Sequence, residues 1–132
     1  MATQHRSQYK HERNKEQRES RPHAKLSYAR IPVQKACIVT DAIRGKDVNT
    51  ARAMLHYSPK YAASVIYKLL SSAAANAEFQ GMNKDRLYVA ECFANNGPIM
   101  KRIQPRARGS AYRINKRMSH LTVILDEKGG KN

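Results

Sequence analysis

Residues 94–120 read ANNGPIMKRIQPRARGSAYRINKRMSH, a run of 27 residues between two apolar, alternating segments. The run is too long for an ordinary connection in a compact domain, and too polar to form a further buried layer. Pro105 and Gly109 stand near its middle, flanked by the β-compatible residues Ile99, Ile103, Tyr112 and Ile114. This order predicts a β-hairpin arm that carries two strands of the domain outward past its core and turns at the Pro–Gly centre. About nine residues per limb, at roughly 3.3 Å each, reach about 30 Å. The limbs carry Lys101, Arg102, Arg106, Arg108, Arg113, Lys116 and Arg117, and residues 100–117 hold no Asp or Glu. A two-stranded ribbon is marginally stable in water even when neutral, and seven uncompensated cations worsen it. Order must therefore come from a partner that supplies negative charge on several sides, as folded RNA does to a ribbon threaded between its helices. Arginine gives bidentate phosphate contacts and stacks on bases, while the small Ala107 and Gly109 admit a close backbone approach.

Outward from the arm, Leu87, Val89, Glu91 and Phe93 alternate with Tyr88, Ala90 and Cys92, and Leu121, Val123 and Leu125 alternate with His120, Thr122 and Ile124. Both spacings predict strands, paired antiparallel as the two roots of the arm, with Lys25–Arg30 as a third. A helix is predicted from Pro32 to Arg44, with Val33, Ala36, Cys37, Thr40 and Ile43 on its inner stripe and Gly45 ending it. Asp47 is placed to cap a second helix that buries Val48, Ala51, Met54 and Leu55. The third helix, about 59–79, has the clearest period: Ala62, Val65, Ile66, Leu69, Leu70, Ala73 and Ala77 repeat at helical spacing, with Lys60, Ser64, Lys68, Ser71 and Ser72 off the stripe. The expected fold is α+β, three helices packed on a small three-stranded antiparallel sheet with a long basic β-hairpin arm.

The whole chain has 132 residues and a net charge of +15, from 25 Lys and Arg against 10 Asp and Glu. That length suits one core with appendages: a basic tail at 1–23, expected to be disordered, a domain at 24–127 with its arm at about 97–119, and a flexible C-terminus at 128–132. Apolar runs of about four residues fall far short of the roughly 20 that span a bilayer. The polar start, with Glu12, Glu16 and Glu19, fits neither a secretory signal nor an acid-poor transit peptide, so a cytoplasmic protein is expected. The charge surplus makes a nucleic acid the leading partner and an anionic membrane surface the second; the latter would want a basic amphipathic helix, whereas the cations concentrate in the hairpin.

No enzyme chemistry is indicated. Cys37 and Cys92 lie among apolar residues with no histidine placed as a base, and they read as reduced structural thiols. His5, His11, His23, His56 and His120 are scattered, so no metal or cofactor is expected; His120 reads as structural or RNA-facing. Gly45-Lys46 lacks the upstream glycine of a phosphate-binding loop. The rival from another class is a DNA-architectural protein, with a helical dimeric body, a basic ribbon in the minor groove and Pro105 wedging a base step.

From about Ala24 to Glu127 the chain resembles the large-subunit ribosomal protein L-twenty-two family of bacterial and organellar type. The resemblance rests on an ordered string of motifs: Ile43-Arg44-Gly45-Lys46, Pro59-Lys60 with Ala62-Ala63, Ser72-Ala73, and Ala75-Asn76-Ala77-Glu78. Gly97-Pro98, Met100-Lys101-Arg102, Pro105-Arg106-Ala107-Arg108-Gly109 and His120-Leu121-Thr122-Val123 continue it. It implies a domain on the solvent side of the large ribosomal subunit, early assembly with ribosomal RNA, and a hairpin that reaches the wall of the nascent-peptide exit tunnel. By matching position, Met100, Lys101, Arg102, Pro105, Arg106, Arg108 and Gly109 form the tunnel segment. Met100 to Arg102 correspond to the part linked to macrolide resistance, and Arg108 to a basic tip residue usually written as Lys. Lys35, Arg44, Lys46, Lys60 and Lys68 on the body join the seven arm cations as candidate RNA contacts. The implied partners are large-subunit ribosomal RNA, neighbouring ribosomal proteins and, at the tip, the nascent peptide, with no self-association. The family commonly has Arg in the first helix where this chain has Cys37.

Overall fold

The computed structural model describes residues 20–129. Three strands, β1 (His23–Ala29), β2 (Leu87–Pro105) and β3 (Ala111–Glu127), form one antiparallel sheet in the order β1-β3-β2. Three helices, α1 (Val33–Ile43), α2 (Val48–Tyr57) and α3 (Tyr61–Phe79), cover one face of it. The expected α+β architecture and the long hairpin are both present. Residues 1–19 of the tail and 130–132 of the C-terminus lie outside the described residues. At the tail's far end Pro22 is buried and its carbonyl accepts from Leu125 N–H at 2.9 Å.

The core forms where the apolar stripes meet the sheet. Leu121, Val123 and Leu125 of β3, with Leu87, Val89 and Cys92 of β2, pack against Ala36, Val39 and Ile43 of α1 and Ile66 and Leu70 of α3. Five buried alanines on α3, Ala62, Ala63, Ala73, Ala74 and Ala77, let its backbone approach closely. Two side-chain expectations change. Met54 is 41% exposed, because Val48, Ala51 and Leu55 alone fill the inward arc of α2. Asp47 makes no capping bond; its carboxylate pairs with Lys128, 2.5 Å away. Along α1, Val39 is buried while Cys37 is only partly so.

The alternation in β2 also breaks. Val89 faces Leu125 but Glu91 faces Ile124, so one extra residue bulges from the strand there. Beyond the bulge the inward set becomes Cys92 and Ala94, and Glu91 and Phe93 turn to the outer face. A second bulge, between Asn96 and Ile99, lies where the arm leaves the body. Pro98, which has no N–H for the ladder, sits in it. A side-chain carbon on Gly97 would stand 3.1 Å from the Met118 backbone, so glycine is the residue that fits this crossing. A third shift, between Leu26 and Ala29 of β1, contains Tyr28 at φ 58°.

Candidate nucleic-acid interface

From Ile99↔Arg117 to Pro105↔Ala111 the limbs of the arm pair without interruption, and no residue from Asn95 to Met118 is buried. Residues opposite each other in an antiparallel ladder share a face. One face therefore carries Lys101, Arg113 and Arg117, and the other carries Arg102 and Lys116. Each cation stands opposite a neutral residue: Lys101 faces Asn115, Arg102 faces Ile114, Arg113 faces Ile103, Lys116 faces Met100 and Arg117 faces Ile99. This pattern avoids the repulsion of like charges placed directly across a ladder while presenting positive charge on both sides.

The tip adds two more cations. Arg106 N–H donates to the Ser110 carbonyl at 2.9 Å, and Ser110 Oγ donates to the Ala107 carbonyl at 2.9 Å. Arg108 and Gly109 take left-handed backbone at φ 59° and 71°, which places Arg108 at the apex. The Arg106 guanidinium lies 5.1 Å from the centre of the Tyr112 ring, an arrangement that stiffens one side of the tip. Among the described residues no carboxylate pairs with any of the seven arm cations.

The body's candidates divide. Lys35 and Lys60 come together in a groove of about 440 Å³ between the starts of α1 and α3, beside Arg30, Ile38 and Tyr61. Neither helix has a side-chain cap or an acid in its first turn, so their positive ends add to the field there. A second concavity, about 530 Å³, joins the body to the arm between Arg30 and Pro32 on one side and Met100, Arg102, Lys116 and Arg117 on the other. Lys46 and Lys68 are exposed but line neither. Arg44 is engaged within the protein: its guanidinium contacts Asp41 at 2.9 Å and donates to the Cys92 carbonyl at 2.7 Å. Arg30 and Tyr61, absent from the sequence-derived set, are the residues the fold adds. The signal for Arg30 was its place at the joint between a strand and Pro32.

His120 is structural on one side, since its Nδ1 accepts from Tyr28 N–H at 3.0 Å and the two rings meet edge to face at 4.8 Å. Burial pushes the Cys92 thiol up to about 12, against the opposing charge of Arg44. With the folded value raised, its contribution to stability is intact below the ordinary thiol value of 9.0 and is lost as pH climbs toward 12. At pH 8 a thiol reagent such as 5,5′-dithiobis(2-nitrobenzoate) is expected to label Cys37 in the native protein and Cys92 only after denaturation. Equal native rates at both would contradict the burial of Cys92.

Among the described residues no helix is long and apolar enough to cross a membrane, and no three His, Cys, Asp or Glu side chains are grouped to hold a metal ion. Comparison with known proteins adds the relationship. The chain is similar to proteins named large ribosomal subunit protein uL22. That of Agathobacter rectalis is 63% identical over 132 residues, covering 97% of this chain and all of the relative. That of Lachnospira eligens is 62% identical over 129 residues with the same coverage, and that of Acetivibrio thermocellus 56% over 104 residues, 78% of this chain and 83% of the relative. Coverage of 97% means that the first two matches extend through most of the tail. The family model described as ribosomal protein L22p/L17e matches residues 24–126, the whole body together with the arm, and the chain belongs to that family.

Proposed function

We propose that this chain is a structural constituent of the large ribosomal subunit in the cytoplasm, that it binds large-subunit ribosomal RNA through its arm and the body surface at the arm's root, and that it performs no catalysis. The observation that carries the reading is the arm: about 30 Å of unburied ribbon from Gly97 to Pro105, cationic on both faces and free of acids. A protein that lies on a polyanion needs cations on one face. One that is surrounded by it needs them on both. The relatives' shared name, large ribosomal subunit protein, supplies the assembly in which such an RNA envelope exists.

In this reading Lys101, Arg102, Arg106, Arg108, Arg113, Lys116 and Arg117 displace counterions from RNA phosphates. Lys35, Lys60 and Arg30 continue the track onto the body, with Lys46 and Lys68 as outlying contacts and Arg44 acting chiefly to tie α1 to β2. Met100, Lys101, Arg102, Pro105, Arg106, Arg108 and Gly109 line the nascent-peptide exit tunnel, and the chain enters the particle as a single copy beside other ribosomal proteins. Gradient sedimentation of lysate containing an epitope-tagged copy tests the assignment. The protein is expected in the large-subunit peak and its comigration with that RNA is expected to survive moderate salt. Recovery at the top of the gradient as free protein would reject it.

A further inference from the structure

We propose that the groove between the starts of α1 and α3 holds one unstacked nucleobase of the bound RNA, with Tyr61 as its stacking platform. The inference rests on the RNA-binding reading above and adds a recognition element to it. Tyr61 is 71% exposed although Ala62 and Ala63 beside it are buried, and Ile38 across the groove is 58% exposed. Tyr61 at the start of α3 and Ile38 on α1 both line the groove, and the aromatic and aliphatic surfaces they leave in water suit a flat, apolar-faced group. The groove's volume of about 440 Å³ is in the range of sites that take small ligands.

Charge selects the occupant. Arg30, Lys35 and Lys60 rim the groove and no carboxylate lines it. A single phosphate would use the cations but leave Tyr61 and Ile38 unexplained. Base-paired RNA keeps its base faces stacked and hidden, so only a splayed-out nucleotide presents both the ring and the flanking phosphates. Arg30 and Pro32 line this groove and also the concavity at the arm's root. A strand that follows the cations of the arm onto the body is thereby led past Tyr61.

The test uses the full chain and protein-free large-subunit ribosomal RNA, with affinity measured across a salt series. Tyr61→Ala is expected to weaken binding about tenfold at every salt concentration without changing the slope, as loss of a base–aromatic stack does. Tyr61→Phe is expected to restore binding to within about twofold of the wild type, which a loss of fold would not permit. Lys60→Gln is expected to lower the slope by about one contact. A photoreactive benzoylphenylalanine at position 61 is expected to crosslink to an unpaired nucleotide in assembled subunits. If the wild type binds and Tyr61→Ala binds equally well, or if the crosslink goes to a protein, the groove assignment falls alone. If the wild type shows no salt-dependent binding to this RNA, the ribosomal reading falls and takes the groove with it.

Discussion

A variant with Gln at positions 101, 102, 106, 108, 113, 116 and 117 is expected to keep the body's fold and to lose most of its salt-dependent affinity for large-subunit ribosomal RNA. Each phosphate contact contributes about −0.7 to −0.9 to the slope of log affinity against log salt. Seven contacts therefore account for a slope of about −5 to −6, and between 50 and 200 mM salt this alone corresponds to a change of about 10³-fold. The fold should survive because none of the seven side chains is buried and none pairs with a carboxylate among the described residues. Replacing charge by a neutral amide removes repulsion along the ribbon as well, so a small gain in thermal stability of the free protein is consistent with the same account. Filter binding across a salt series, with circular dichroism as the control for fold, measures both parts. A slope as steep as the wild type's would place the main RNA contact on the body instead.

The arm was legible because its signals are local. A turn-forming centre, β-compatible flanks and an acid-free run of cations all sit within one segment, and a β-hairpin brings nothing to it from elsewhere in the chain. The helices were legible for a similar reason, since a period of 3.6 over ten to twenty residues is written in contiguous sequence. The alternation at Leu87 to Phe93 misled because a bulge reverses the facing of every later residue while leaving the sequence alternating. Nothing at Ala90 marks the extra residue; the partner strand decides it. The groove was invisible for another reason. Arg30, Lys35 and Ile38 lie 22 to 31 positions before Lys60 and Tyr61, and only the packing of α1 beside α3 brings them together. Arg44 shows the converse, a half-exposed cation whose internal bonds to Asp41 and to the Cys92 carbonyl no local pattern announces.

The largest effect on stability is expected from Ile66→Ala. Ile66 is fully buried in the second turn of α3, within the core that the helices share with the sheet, and the inward face of that helix is otherwise mostly alanine: Ala62, Ala63, Ala73, Ala74 and Ala77. Ile66, Leu69 and Leu70 are the large side chains on that face, so the surrounding alanines have no flexible atoms with which to fill a hole. Removing three carbons costs about 2.5 kcal/mol in transfer free energy, and an unrelaxed cavity brings the total to about 3 to 4 kcal/mol. Against a domain stability on the order of 5 to 15 kcal/mol, that loss is a large fraction of the whole. Urea denaturation is expected to show the midpoint falling with the slope unchanged. The matched control is Ile103→Ala on the arm, where the side chain is 73% exposed and the expected change is under about 0.5 kcal/mol. The two isoleucines together separate the two parts of the molecule. If Ile103→Ala destabilised the free protein as much as Ile66→Ala, the arm would be packed against the body in solution, and its order would not depend on RNA.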